Sequence, residues 1–199
     1  MPLDIASIRH AITAIAARLE TEHEMLSTLD GKVGDGDLGI TLLKAFRELE
    51  RLKPDLPDDL GQALMQSASA VSKVSSSSFG TLLATSLMTV AKQAKGTTSV
   101  PWSAVSGYMD SAVAAMSARG KASLGDKTVL DALDASAKAS AGLDDPQAVL
   151  EAARKGTNDA LDAFRDQPNK IGRARIFAER TIGLDDPGMV AIKVMLDAL

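Results

Sequence analysis

Apolar residues recur along the chain at helical spacing and almost nowhere alternate, so the pattern predicts helices throughout and no sheet. Ile5, Ile8, Ile12, Ile15, Leu19 and Leu26 mark one face of a long first helix, and Leu60, Leu64, Val71 and Val74 mark another further on. Further helices are expected over roughly 39 to 52, 79 to 95, 102 to 118, 126 to 140, 146 to 165 and 187 to 198, which makes about eight in all. The breaks between them are ordinary ones: Pro54 with Pro57, Gly96 to Pro101, RGKASLGD at 119–126, GLDDP at 142–146 and QPNKIGRAR at 167–175. No low-complexity tract or linker divides the chain. The expectation is an all-α, single-domain antiparallel bundle over residues 1–199, with alanine-rich helices packed closely.

Composition narrows the chemistry. With 199 residues and 45% hydrophobic content the chain can bury one sizeable core. Lys plus Arg number 22 against 26 Asp plus Glu, a net charge of −4, so no basic surface advertises nucleic acid or an anionic membrane. The absence of cysteine excludes disulfides, zinc thiolates and a Cys nucleophile, and fits a reducing cytoplasm. Both histidines, His10 and His23, fall in the first helix, where a surface or partly buried role is expected rather than a catalytic pair. Neither a membrane span nor a basic-then-apolar leader is present, so the expected location is the cytoplasm.

Chemistry is therefore left to the connections, and four of them are polar and glycine-containing. LDGKVGDGDLGIT, Leu29 to Thr41, brings Asp30, Asp35 and Asp37 together on a pliable backbone. It reads either as a turn with Asp37 capping the next helix, or as a site for Mg2+ or Ca2+, because crowded carboxylates repel unless a cation neutralises them. An EF-hand is excluded, since its fifth and twelfth positions would be Gly39 and Phe46; Mg2+ with a phosphate ligand is the better match. KVSSSSFGT, Lys73 to Thr81, is either a serine helix cap or an anion cradle at a helix N-terminus. RGKASLGDKTV could wrap a nucleotide or simply start a helix with Asp126 as its cap. GRARIFAERTIGLDDPG, Gly172 to Gly188, repeats the GLDDP helix start but adds Arg173, Arg175 and Arg180, suited to phosphate recognition or to a solvated loop.

GDGDLG, SSSSFGT, RGKASLGDKT and GRARIFAERTIGLDDPG fall in the order and approximate spacing of the nucleotide-binding L subunit of dihydroxyacetone kinases, which the chain resembles over nearly its whole length. That resemblance implies an antiparallel barrel of helices binding ADP or ATP across the loops at one end, held by two Mg2+ ions. It implies Asp30, Asp35 and Asp37 as metal ligands, Gly39 to Thr41 at the phosphates, and Ser75 and Ser76 in the serine cradle. It further implies Gly120 and Val129 near the base or ribose, and Arg173 with Asp186, Pro187 and Gly188 closing the site, Arg173 serving transfer itself. Leu38, Gly39, Ile40 and Thr41 stand where the family commonly reads His-Gly-x-Asn, and Ser72 to Ser76 replaces Gly-Gly-Ala-Ser-Gly, so the phosphate contacts are altered. The family's acceptor ketose sits on a separate K-type subunit, so the resemblance implies that this chain is half of a kinase. Its nucleotide is either an exchangeable ATP or a retained ADP recharged by a phosphotransferase-system phosphoprotein. A nucleotide-loaded regulatory protein without turnover is the alternative, and a homodimer is compatible with either.

Overall fold

The computed structural model describes residues 2–199. Side-chain oxygens start most of its helices. Asp4 accepts from Ser7 N at 3.0 Å and opens α1 (Ile5–Gly31). α2 (Leu38–Leu52) runs into a 3-10 turn, Lys53–Asp55. Asp59 caps α3 (Leu60–Val74) through Gln62 N at 2.8 Å, and Ser77 caps α4 (Ser78–Gln93) through Gly80 N at 3.1 Å. After α5 (Ala104–Gly120), Thr128 and Asp131 form a capping box for α6 (Val129–Ser140). α7 (Pro146–Arg165) and α8 (Pro187–Asp197) both begin Asp-Pro, with Asp145 accepting from Ala148 N at 2.9 Å and Asp186 from Met189 N at 3.0 Å. A second 3-10 segment, Ala174–Thr181, precedes α8.

The expected starts at 79, 102 and 126 move to 78, 104 and 129. The last shift has a clear cause: the Asp126 carboxylate accepts Ser123 N at 2.8 Å within its own turn, leaving Thr128 to cap α6. Two short strands, β1 (Leu3–Asp4) and β2 (Ser99–Val100), pair antiparallel, with Leu3 opposite Val100, and tie the N-terminal segment to the α4–α5 connection.

The helices form a closed ring. Each of α1 to α7 packs on the next, and α8 closes the circle against α1 while also touching α6. Leu19, Leu26, Leu42, Leu60 and Val71 fill one part of the core; Met116, Val129, Leu130, Leu161 and Met189 fill the other. Phe79, Val190 and Met195 touch both parts. On α3 the inward face is carried by Leu60, Ala63, Ala70 and Val71, while Val74 is exposed in the last turn. No helix among the described residues is long and apolar enough to cross a membrane.

Candidate functional site

Because the helices alternate in direction, α2, α4, α6 and α8 all begin at the same end of the ring. Their first residues, Leu38, Ser78, Val129 and Pro187, line one cleft of about 480 Å³. Each N-terminus carries about half a positive charge and first-turn N–H groups beyond the one that its cap or Asp30 takes up, so the cleft favours a polyanion.

Against this stands a cluster of opposite sign. Asp30 lies in the last turn of α1, Asp35 and Asp37 in the link to α2, and one carboxylate oxygen from each falls within 4.8 Å of the others. Asp37 occupies the N-cap position of α2 but makes no capping bond; Asp30 instead accepts Leu38 N at 3.2 Å. The Asp37 carboxylate is thereby left for the cleft. Burial, reinforced by the Asp30 charge, pushes its pKa above the ordinary carboxylate value. Three hard oxygen donors so placed fit Mg2+. The link is compact enough that a Cβ on Gly34 would fall on the Asp30 carboxylate, and one on Gly39 would fall on the His23 carbonyl oxygen of α1.

The residues singled out from sequence divide clearly. Asp30, Asp35, Asp37, Leu38, Ser76, Gly120, Val129, Arg173, Asp186, Pro187 and Gly188 all line the cleft. Gly39, Ile40, Thr41 and Ser75 are not among its lining residues. Gly39 is buried against α1; Ile40 faces outward, 39% exposed; Thr41 is buried in the first turn of α2, its N–H given to Asp37 O. Ser75 turns toward Ser77, with the oxygens 3.4 Å apart, and sits under Gly80. The helix geometry explains this: only the first residue of α2 reaches the opening, and the next three wind away from it.

Of the other lining residues, Ser78 and Thr81 belong to the KVSSSSFGT stretch read as a possible anion cradle, whereas Phe79, Leu82 and Met116 were not read as site residues. Ser78 and Thr81 add hydroxyls at the start of α4, and Phe79, Leu82 and Met116 make an apolar wall on which a flat ring could rest. Arg173 forms an ion pair with Asp35 across the opening. Arg175 and Arg180 do not line the cleft, and Arg180 lies over the Phe177 ring, 5.7 Å from its centre.

Asp186 is the deepest charged group of the cleft. It accepts Met189 N at 3.0 Å and the Asn169 amide at 2.7 Å, yet burial dominates and raises its pKa to about 6. Behind it Lys127 is buried, and loss of solvent lowers its pKa. Lys127 belongs to the RGKASLGDKTV connection, but its burial, and any part for Asn169, escaped the sequence reading. A lysine between Asp and a capping Thr looks solvent-facing, and only the left-handed backbone at Gly125 and Lys127 turns it inward.

The DAK2 domain family model matches residues 32–199. An ADP-binding subunit DhaL of a PEP-dependent dihydroxyacetone kinase from Listeria innocua is 29% identical, over 99% of this chain and 94% of that protein. The corresponding Escherichia coli subunit is 26% identical, over 100% and 97%. Human triokinase/FMN cyclase is 34% identical over 88% of this chain, which covers only 31% of that longer protein. A crystal structure of the dihydroxyacetone kinase from C. freundii in complex with AMP-PNP and Mg2+ superposes with a TM-score of 0.76 at 24% identity, over all of this chain and 34% of that one, a likeness of fold. By its sequence, the chain belongs to the DAK2 domain family.

Proposed function

We propose that the chain is the nucleotide- and Mg2+-binding subunit of a cytoplasmic small-ketose kinase of the dihydroxyacetone type, acting on a ketose held by a separate K-type subunit. What carries this is the convergence on one cleft of four helix N-termini and three carboxylates within 4.8 Å of one another. The former attract a polyphosphate and the latter a divalent cation, the two halves of a Mg-nucleotide. The kinship with DhaL subunits supports the same reading.

Asp30, Asp35 and Asp37 would hold Mg2+, two ions in this reading, which when bound neutralises and aligns the phosphates. Ser76 and the amides opening α4 receive phosphate oxygens, while Gly120 and Val129, with the wall of Phe79, Leu82 and Met116, take the base and ribose. Asp186, Pro187 and Gly188 close the far side. In this reading Arg173 would steady the charge on the group in transfer, exchanging its contact with Asp35 for a phosphate oxygen. The terminal P–O bond of the nucleotide breaks as a ketose hydroxyl oxygen bonds to phosphorus and releases its proton. Neither histidine lines the cleft, so the ketose has no carbonyl-capturing imidazole here and is held by the partner. The Listeria and E. coli relatives are ADP-binding subunits of PEP-dependent kinases, which favours a retained ADP recharged by a phosphotransferase-system phosphoprotein over exchangeable ATP.

Calorimetry with ADP, with and without Mg2+, tests the site on protein first stripped of any copurifying nucleotide. Binding should require the metal, because three carboxylates and a polyphosphate repel one another without it. Equal affinity in both conditions, or none in either, would overturn the assignment.

A further inference from the structure

Lys127 is the only lysine or arginine buried among the described residues, at 1% exposure, and the chemistry proposed above makes no use of its charge. Its ammonium touches no carboxylate. It donates instead to three backbone carbonyls: Arg165 O at 3.1 Å, Gln167 O at 2.7 Å and Thr181 O at 2.9 Å. All three ammonium hydrogens are thereby used. Arg165 and Gln167 lie where the chain leaves α7, and Thr181 lies where it returns toward α8, so one cation fastens both ends of the 166–182 excursion that carries Arg173.

A second tie runs from the same residue toward the cleft. The Asn169 amide donates to Lys127 O and to Asp186 Oδ1, both at 2.7 Å, and Asn169 N donates to the Thr181 hydroxyl at 2.9 Å. Asp186 in turn caps α8 through Met189 N. The cluster therefore links the base of the arginine-bearing excursion to the Asp186–Gly188 edge of the cleft.

Helix packing alone does not require a charge here. Burying an ammonium is costly, and an apolar side chain of similar length would fill the same space between α6 and α7. What an apolar side chain cannot do is donate to three convergent carbonyls from two distant stretches of chain. Arg165 O and Thr181 O also accept Gly183 N at 2.8 Å and Leu184 N at 3.2 Å, respectively, and Lys127 Nζ adds the bond that joins them to Gln167 O. We infer that Lys127 is a positioning residue for nucleotide binding, an internal cation that holds the 166–182 excursion so that Arg173 and Asp186 to Gly188 face the cleft together. The role rests on the Mg-nucleotide reading of the cleft, whereas the fastening of the excursion does not.

The test uses the full chain with Lys127→Met, Arg173→Ala and the double variant. Amide exchange by mass spectrometry in the ligand-free protein should accelerate roughly tenfold or more over 166–182 in Lys127→Met, with α1 to α4 unchanged. Calorimetry with Mg-ADP should show about tenfold weaker binding, falling to about twofold when Arg173 is already alanine, because the lysine acts through the excursion. Unchanged exchange over 166–182, a loss of protection spread over the whole chain, or additive effects in the double variant would each overturn the inference. Should Lys127→Met not melt cooperatively, Asn169→Ala carries the same test: local acceleration supports the fastening and intact protection refutes it. Failure of wild type to bind Mg-ADP would remove the Mg-nucleotide reading and with it the positioning role, while the exchange experiment would still decide the fastening.

Discussion

The Asp30 carboxylate accepts the backbone N–H of Leu38 at 3.2 Å, a bond that Asp37, although it stands in the N-cap position of α2, does not make. The two aspartates therefore differ in what their removal should do. Asp30 caps a helix and faces the cleft; Asp37 only faces the cleft. Asp37→Asn should leave the melting temperature of the ligand-free protein unchanged or higher, since it removes a partly buried charge beside another, and should abolish stabilisation by Mg-ADP. Asp30→Ala should lose that stabilisation and also about 1 kcal/mol of ligand-free stability. Thermal and urea melts with and without Mg-ADP separate the two, and equal losses in the ligand-free proteins would make Asp37 structural.

Gly39 sets how closely α1 and α2 approach beneath the carboxylates. A Cβ there would fall on the His23 carbonyl oxygen, which is backbone and cannot swing away. Gly39→Ala should therefore push α2 off α1, cost about 1–3 kcal/mol in urea unfolding, and weaken Mg-ADP binding although residue 39 does not line the cleft. Wild-type stability in this variant would show that the crossing has slack.

Asp186 should leave a mark on the pH dependence of stability. Its pKa is about 6 in the folded protein against 3.8 in the unfolded chain, so the native state binds the proton more tightly. With more protons on the native than on the unfolded state, the slope of unfolding free energy against pH is negative between these values. Stability contributed by the protonated form is present below pH 4 and is lost as pH rises through 6, a change of about 3 kcal/mol. Asp186→Asn removes the titrating group, so the difference between wild type and variant in urea melts should move by about 2 kcal/mol between pH 4 and pH 6.5, wild type losing ground. A constant difference across the range would show that the carboxylate is not held above its ordinary pKa.

Much of this molecule was legible before its structure. The eight helices follow from helical spacing and from local stop and start signals, and both GLDDP copies do start helices, as that pattern predicts. The Asp cluster was legible because its members are neighbours in sequence. What escaped depends on closure in three dimensions. That Asp30 caps α2, that Leu38 reaches the cleft while Thr41 does not, and that Lys127 meets carbonyls from residues 165, 167 and 181 are consequences of where separate elements come to rest. Even so, one clue lay in plain view: with helices alternating in direction, every second helix must begin at the same end as the Asp loop, and the four unusual connections are the ones that precede α2, α4, α6 and α8.

The last expectation concerns turnover. The cleft supplies groups for a Mg-nucleotide but no imidazole to hold a ketone, and both histidines lie on α1 outside its lining. The purified chain should therefore transfer no phosphoryl group to any small ketose alone, and added K-type subunit should restore transfer. The partner must dock at the end where α2, α4, α6 and α8 begin, because the ketose hydroxyl has to come within about 3–3.5 Å of the terminal phosphorus. Arg173 at that opening then has two separable roles: steadying charge in transfer, or gluing the partner in place. In the first case Arg173→Ala lowers kcat by about 100-fold or more with little change in partner affinity; in the second it weakens the complex and turnover recovers at high partner concentration. We expect the first, since the guanidinium pairs with Asp35, one of the three clustered carboxylates, and so stands beside the groups that would hold the metal. Steady-state assays on dihydroxyacetone and four-carbon ketoses, with and without the partner, check both points, and substantial turnover by this chain alone would refute the half-kinase assignment.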